Sequence, residues 1–147
     1  MKISSKGRYA LACMVSMACS SQDENITVPE LSSRLDISKL YLEQVFSLLR
    51  RSGLVLSVKG AQGGYHLARP ANEITTYEIL AVTEVSLFDE PEETVKDSAP
   101  GIEQALRNSL FSPASKALEE IFKRMRLSDL AEEARSYRNQ SEYDYII

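Results

Sequence analysis

The sequence of 147 residues predicts a mainly α-helical chain that carries one small β-hairpin. Apolar residues recur at helical spacing along most of the chain, and capping-box sequences mark two helix starts. A single segment combines β-branched residues with a glycine-rich turn, which is typical of a hairpin. No apolar run reaches the roughly 20 residues that cross a bilayer, and no signal-peptide pattern is recognisable. We therefore expect a cytoplasmic protein.

The first two predicted helices lie in the first quarter of the chain. Residues 5–19 are apolar on nearly every side, which indicates a central helix covered by other elements. Thr27 and Glu30 then form a capping box, with Pro29 early in the helix where its missing N–H costs little. A short second helix is expected to follow.

The third predicted helix completes a helix-turn-helix. Asp36 and Ile37 form a tight corner, Ser38 is the next N-cap candidate, and Gly53 ends the helix. Its apolar stripe consists of Leu42, Val45, Phe46, Leu48 and Leu49. Two short helices joined by a brief turn form this motif, which alone is weak evidence for DNA binding.

A hairpin directly after the third helix makes the prediction more specific. Residues 54–58 favour a strand, 59–64 a glycine-rich turn and 65–67 a returning strand. A nucleotide-binding loop is excluded, because no helix start follows Gly64 and no Gly-Lys-Ser/Thr is present. We therefore predict a winged helix-turn-helix DNA-binding domain over residues 1–75.

The second half of the chain, residues 76–147, is predicted to be helical around an acidic loop. A capping box at Thr75 opens a helix to about residue 85, and residues 88–101 are irregular and acidic. A helical stretch follows over 102–110. We expect Ser112 and Pro113 to begin a longer helix, and Ser128 to cap a last one ending near residue 137.

Charge is distributed unevenly between the halves. Residues 1–75 hold nine Lys/Arg and six Asp/Glu, a balance of +3, whereas residues 76–147 hold eight and fifteen, a balance of −7. An acidic protein can still bind a polyanion if its basic groups share one face. The alternative is that the uneven distribution of charge is accidental.

Four segments match one protein family in order and spacing. They are residues 6–10 in the first helix, 41–44 in the third, 53–55 at its end and 60–65 in the wing. The chain resembles Rrf2-family transcriptional regulators along its whole length. The resemblance implies a homodimer, with dimerisation helices in residues 76–147, that binds a roughly palindromic operator.

The resemblance also raises the question of a cofactor. Many relatives sense their signal through an iron–sulfur cluster, whose cysteines lie in the loop before the dimerisation helix. Residues 88–111 contain no Cys and no His, so we expect no iron–sulfur cluster and no metal site. His66 is interpreted as structural, and Cys13 and Cys19 as small apolar residues, with a thiol switch as the alternative.

Cluster-free relatives include a repressor of cysteine metabolism whose corepressor is cysteine synthase (O-acetylserine sulfhydrylase). This enzyme also binds the C-terminus of serine acetyltransferase. The last four residues, Asp144, Tyr145, Ile146 and Ile147, are similar to such an acetyltransferase tail. A terminal carboxylate on an apolar side chain suits a pocket for an amino acid. The alternative is that this tail packs on the dimer or frays.

The third helix and the wing supply the candidate DNA contacts. These are Lys6, Ser38, Lys39, Tyr41, Gln44, Arg50, Arg51, Lys59, Gly60 and Gln62. Gln44 suits adenine, and Tyr41 either contacts a phosphate or thymine methyl or simply packs. Lys39, Arg50 and Arg51 suit phosphates. Lys59 stands where the family often has arginine, and lysine lacks the planar fork that reads a narrow minor groove.

These features lead to a hypothesis of a homodimeric, sequence-specific repressor of cysteine or sulfur metabolism genes, with cysteine synthase as corepressor. One alternative is a cluster-free relative that responds directly to a small molecule or a thiol oxidant. Another is an interaction module that has lost DNA binding. The sequence shows no constellation of catalytic residues, so we do not expect an enzyme.

Overall fold

The computed structural model describes residues 1–21 and 23–146, with side chains up to residue 141. It confirms a mainly helical fold with a two-stranded antiparallel hairpin. The helices are α1 Ser5–Cys19, α2 Val28–Leu35, α3 Lys39–Arg51, α4 Thr76–Thr83, α5 Pro100–Leu106, α6 Ser112–Arg124 and α7 Leu127–Ile146. The strands are β1 Val55–Val58 and β2 Gly64–Leu67, followed by a 3₁₀ turn over Ala71–Glu73.

The helix-turn-helix is set by its caps. Thr27 and Glu30 make the reciprocal hydrogen bonds of a capping box at the start of α2. Asp36 adopts a left-handed conformation at the corner, with φ of 54°. The Ser38 hydroxyl then accepts a hydrogen bond from the Tyr41 N–H at 3.2 Å and begins α3. Each of these local predictions is confirmed.

The wing is tied to the body by a contact that the sequence does not reveal. β1 pairs with β2 from Val55–Leu67 to Val58–Gly64. Tyr65 also exchanges two backbone hydrogen bonds with Ile26, at 2.9 and 2.8 Å. Gly64 has φ of 141°, and a Cβ there would meet the Ile26 backbone. The hairpin is therefore held by the segment before α2 as well as by α3.

One hydrophobic core unites α1 to α4, the hairpin and the start of α7. Met14, Phe46 and Leu31 lie in it together with Ile79 of α4 and Leu127 of α7. We call the elements that share this core, namely α1 to α4, the hairpin and the start of α7, the winged-helix body. The body thus includes elements beyond residue 75, and the division of the chain at 75/76 into domains stays a prediction.

The helix over residues 100–124 differs from expectation. We expected a new helix at Ser112 and Pro113, but α5 continues into α6 through a π turn, Arg107–Phe111. Phe111, at the predicted break, has helical angles (φ −70°, ψ −49°). A π turn shifts the backbone hydrogen bonding by one residue, which accommodates the missing N–H of Pro113 without a break. We call residues 100–124 the arm.

The last helix begins earlier and extends further than predicted. Asp129, rather than Ser128, caps α7, since its carboxylate accepts a hydrogen bond from the Arg126 N–H at 2.9 Å. The helical backbone runs to Ile146 instead of ending near residue 137. The side chains of Asp144, Tyr145 and Ile146, and all of Ile147, lie outside the described residues. Within the described part of the chain, no helix is long and apolar enough to cross a membrane.

Candidate nucleic-acid interface

Helix α3 has one face in the core and one face in solvent. Leu42, Val45, Phe46 and Leu49 are completely buried. The exposed side chains of α3 are Lys39, Leu40, Glu43, Gln44, Ser47, Arg50 and Arg51. The apolar stripe of the sequence therefore orients α3 so that its polar and cationic residues face outward.

Tyr41 does not share this exposed face. It is half-buried, and its ring meets the Tyr9 ring edge-on, with centroids 5.0 Å apart and an interplanar angle of 86°. Such edge-to-face pairs are a favourable aromatic packing geometry. Of the two interpretations left open for Tyr41, the structure favours packing between α1 and α3.

A shallow groove runs between the N-terminal end of α1 and α3. Lys6 lines it from α1, and Leu40, Gln44 and Arg51 line it from α3. A second shallow groove lies between α3 and the wing, where Ser47, Arg50 and Arg51 approach Tyr65. The structure thus brings Lys6, Gln44, Arg50 and Arg51 to one side of the body.

The N-terminal end of α1 is fixed by a residue that the sequence analysis missed. Glu84, just after α4, accepts hydrogen bonds from the N–H and the hydroxyl of Ser4, both at 2.9 Å. Ser4 in turn caps α1 by accepting from the Gly7 N–H at 3.1 Å. A partner 80 residues away leaves no local signal in the sequence. Glu84 therefore positions the segment that carries Lys6.

The tip of the wing is exposed and held at its base. Lys59, Gly60 and Gln62 are exposed, and Gly60 has φ of 112°, a conformation that favours glycine. Asn25 donates to the Gln62 carbonyl at 3.1 Å and contacts His66 Nδ1 at 3.2 Å. The contact with Asn25 agrees with the structural role expected for His66.

The cations on this side of the body are free to meet phosphates. Among the described residues, Lys6, Lys39, Arg50, Arg51 and Lys59 take part in no ion pair. Phosphate contacts position a protein on the duplex, whereas contacts to base edges provide sequence specificity. Glu43 is the acidic residue on the exposed face of α3.

The acidic loop is fastened to the arm. Glu103 is buried and accepts hydrogen bonds from the Thr94 and Val95 N–H groups, at 3.1 and 2.8 Å. Arg107 pairs with Glu93 at 2.7 Å and with Glu90 at 3.6 Å. A hydrogen bond from Lys96, together with the nearby charges of Lys96 and Arg107, lowers the pKa of Glu93 despite some desolvation. The acidic loop before the arm is therefore ordered by carboxylates.

The two cysteines lie between helices of the body. Cys13 is completely buried, which raises the pKa of its thiol to about 12. Cys19 is half-buried, and its Sγ donates to the Ala131 carbonyl of α7 at 3.7 Å. Within the described residues, no three His, Cys, Asp or Glu side chains are grouped to hold a metal ion.

Comparison with known proteins places these features in a family. The Rrf2 family, described as "Iron-dependent Transcriptional regulator", matches residues 3–133. The transcriptional regulator IscR of Cereibacter sphaeroides is 39% identical over 136 residues, 88% of this chain and 86% of the relative. IscR of Pectobacterium atrosepticum is 35% identical over 130 residues, 88% of this chain and 79% of the relative.

Solved structures of the same family superpose on the chain. CymR (YrzC), the global cysteine regulator of B. subtilis, gives a TM-score of 0.77 with 34% identity, covering 90% of this chain and 98% of the other. IscR of T. potens gives a TM-score of 0.70 with 32% identity, covering 91% and 88%.

The comparisons correct one expectation. We expected no iron–sulfur cluster because residues 88–111 lack Cys and His. The family is described as iron-dependent, and its matching relatives carry the name IscR, so this expectation is wrong and a cluster cofactor is supported. The described side chains of this chain do not form a ligand set for it, so no step below is routed through a cluster.

The geometry and the comparisons agree on the class of protein. The exposed face of α3, the adjoining wing and cations without an ion-pair partner among the described residues lie on one side of a fold shared with known regulators. Neither the family nor its relatives are enzymes. The chain belongs to the Rrf2 family of DNA-binding transcriptional regulators.

Proposed function

We propose that the chain is a homodimeric, sequence-specific repressor that reads its operator with α3 and the wing. The observation that carries the proposal is the exposed face of α3, where Gln44 lies between cations that have no ion-pair partner in the described structure. Gln44 can bind the N6 and N7 edge of adenine with two hydrogen bonds. Lys6, Arg50 and Arg51 would hold the flanking phosphates.

Two copies of the chain are needed to bind a palindromic operator. The exposed apolar residues of the arm, together with Met125 directly after it, supply the surface for the second copy: Ile102, Leu106, Leu110, Ile121 and Met125. A dimer places its two recognition helices in major-groove segments about one helical turn apart. Bound in this way across a promoter, the dimer would exclude the transcription machinery.

The DNA-binding part is tested by fluorescence anisotropy on duplexes from the chain's own upstream region. We expect Gln44→Ala to weaken specific binding by about 1–3 kcal/mol. Arg50→Ala should reduce the slope of log K against log salt by about one and weaken all sequences alike. Lys116→Ala, which removes an exposed cation on α6, is the matched control. Equal binding of every duplex by the wild-type protein would refute the proposal.

The regulated genes are proposed to be those of cysteine and sulfur metabolism. The support is the similarity to the global cysteine regulator of B. subtilis, at a TM-score of 0.77. The corepressor would be cysteine synthase, which binds the C-terminal tail, residues 144–147. This part rests on the resemblance of that tail to an acetyltransferase terminus and on the carboxylate it presents.

Calorimetric titration of the full chain into cysteine synthase tests the corepressor. We expect tight binding that is lost when Ile147 is deleted and is competed by O-acetylserine. A variant with Asn139→Ala, upstream of the tail on α7, should bind normally. If the intact chain gives no heat of binding, cysteine synthase is not the corepressor, and the proposal of DNA binding is unaffected.

A second candidate, a regulator that responds to iron, is favoured by the description of the family as iron-dependent. Anaerobically purified protein would be assayed for iron, acid-labile sulfide and DNA affinity before and after chelation. A loss of affinity on chelation, without any effect of cysteine synthase, would establish this candidate in place of the corepressor.

A further inference from the structure

Leu40 is an exposed apolar residue in the first turn of α3, where the proposed function assigns it no role. Its side chain is 70% exposed, directly after the Ser38 cap and Lys39. In a helix-turn-helix, the N-terminal residues of the recognition helix contact base edges. Leu40 is therefore placed where a side chain reaches the floor of the major groove.

The surroundings of Leu40 argue against a protein partner at this place. Leu40 lines the groove between α1 and α3 with Lys6, Gln44 and Arg51. The other exposed residues of this groove, Glu43 and Ser47, are also polar or charged. A protein interface is usually depleted of charge at its centre, whereas here Lys6 and Arg51 share the groove with Leu40, and the other leucine that lines it, Leu48, is half-buried. A nucleic acid suits these surroundings better, because its phosphates can meet the cations while an apolar group of a base meets Leu40.

Major-groove edges of DNA offer one apolar group, the C5 methyl of thymine. Leu40 and Gln44 are four residues apart and are therefore neighbours on the same helix face. Resting on the proposed reading of DNA by α3, we propose that Leu40 packs on a thymine methyl within one base pair of the adenine that Gln44 reads. Leu40 then determines specificity, since cytosine offers no methyl group at this position.

The test exchanges thymine for deoxyuridine, which removes the methyl group and keeps the base-pairing edge. Wild-type protein first selects its preferred duplexes from a random library, and each thymine of the consensus is then replaced in turn. We expect one symmetry-related pair of thymines at which deoxyuridine weakens wild-type binding about fourfold, the value for one buried methyl-sized group. Leu40→Ala should show no such loss at that pair.

Two controls keep the result interpretable. Leu40→Met retains an apolar side chain of similar volume and should keep the preference for thymine. Thermal unfolding of each variant should match the wild type because Leu40 is exposed. If the wild type selects no sequence, the proposed function fails; if it selects one but no thymine methyl matters, or if Leu40→Ala loses the same fourfold, the inference alone is overturned.

Discussion

The winged-helix body and the arm differ in where they place their apolar side chains. The body buries large side chains from six elements in one core, including Phe46, Met14 and Leu127. The arm, residues 100–124, has Glu103 as its buried residue and exposes apolar side chains such as Ile102 and Ile121. The body is therefore completed by its own contacts, whereas the arm presents apolar surface that a second copy would cover.

The same two regions differ in how they use cations. On the side of the body that carries the exposed face of α3, Lys6, Arg50 and Arg51 have no ion-pair partner among the described residues. In the arm and its loop, Lys96, Arg107 and Lys123 each pair with a glutamate. Free cations attract phosphates, and paired cations order the chain. The two regions thus differ in whether these cations form ion pairs, as well as in their balance of charge.

The largest effect should come from the core of the body. Phe46 is fully buried and contacts the Tyr65 ring, with centroids 4.6 Å apart. Phe46→Ala should lower the free energy of unfolding by about 4 kcal/mol, measured by urea denaturation. Tyr137→Ala, at an exposed position of α7, should change it by less than about 0.5 kcal/mol. Similar values for both variants would contradict a single core in the body.

The arm should show the reverse behaviour. Leu106→Glu combined with Leu110→Glu would place two unpaired carboxylates in the expected dimer contact. We expect dimerisation to weaken roughly a hundredfold, seen by sedimentation equilibrium, while the circular dichroism of the body is retained. Gln104→Glu adds a charge at a polar, exposed position of the same helix and is the control. A dimer that survives the double substitution would place the interface elsewhere.

Replacing glycine by alanine should change the free energy of unfolding in opposite directions in the two regions. A Cβ at Gly7 would overlap the Glu84 carboxylate and break its hydrogen bonds to Ser4, so Gly7→Ala should cost about 1 kcal/mol after the gain in helix propensity. A Cβ at Gly101 meets no atom within 4 Å. Gly101→Ala should therefore stabilise by about 0.5 kcal/mol. Thermal unfolding measures both, and equal signs would disprove the close fit at Gly7.

The smallest effect concerns pH. Burial raises the pKa of Glu78, but hydrogen bonds from the Thr75 N–H and from Arg69, with the Arg69 charge, outweigh it and lower the pKa overall. A lowered folded pKa stabilises the protein above the unfolded value of about 4.3, and this contribution is lost as the pH falls through the folded pKa.

Both side chains of this ion pair are more than one-third exposed, so solvent screening limits the contribution to about 0.5 kcal/mol. Urea denaturation should show Glu78→Gln less stable than the wild type at pH 6, by a difference that is smaller at pH 3. Glu120→Gln, at an exposed position of α6, should be neutral at both. A stability difference for Glu78→Gln that is the same at pH 3 as at pH 6 would assign it to something other than the charge.

Local signals explain why the body was predictable. The capping boxes at Thr27 and Thr75 and the cap at Ser38 each lie within four residues of their partners. The apolar stripe of α3 predicts which side faces outward, and the structure shows Gln44 and Arg51 exposed on that side, whereas Tyr41 is half-buried.

Features that depend on distant or cooperative contacts were not predictable. Glu84 meets Ser4 across 80 positions, and no period or motif signals this contact. Pro113 is ordinarily a sign of a helix start, but the π turn beside it overrides the local rule. Leu40 lies outside the apolar stripe of α3, but the sequence does not distinguish an exposed leucine from one that packs on a neighbouring element, and the structure shows it 70% exposed.

The π turn in the arm has a consequence for the phase of the helix. Ile102 and Ile121 are 19 residues apart, as are Leu106 and Met125. If the π turn absorbs one residue, the remaining 18 make five whole turns of roughly 3.6 residues, and the two pairs align along one seam. Deleting one residue from 107–111 would rotate Ile121 and Met125 by about 100° relative to Ile102 and Leu106. The residue that the π turn absorbs would thus bring the apolar residues before the turn and those after it onto one side of the helix.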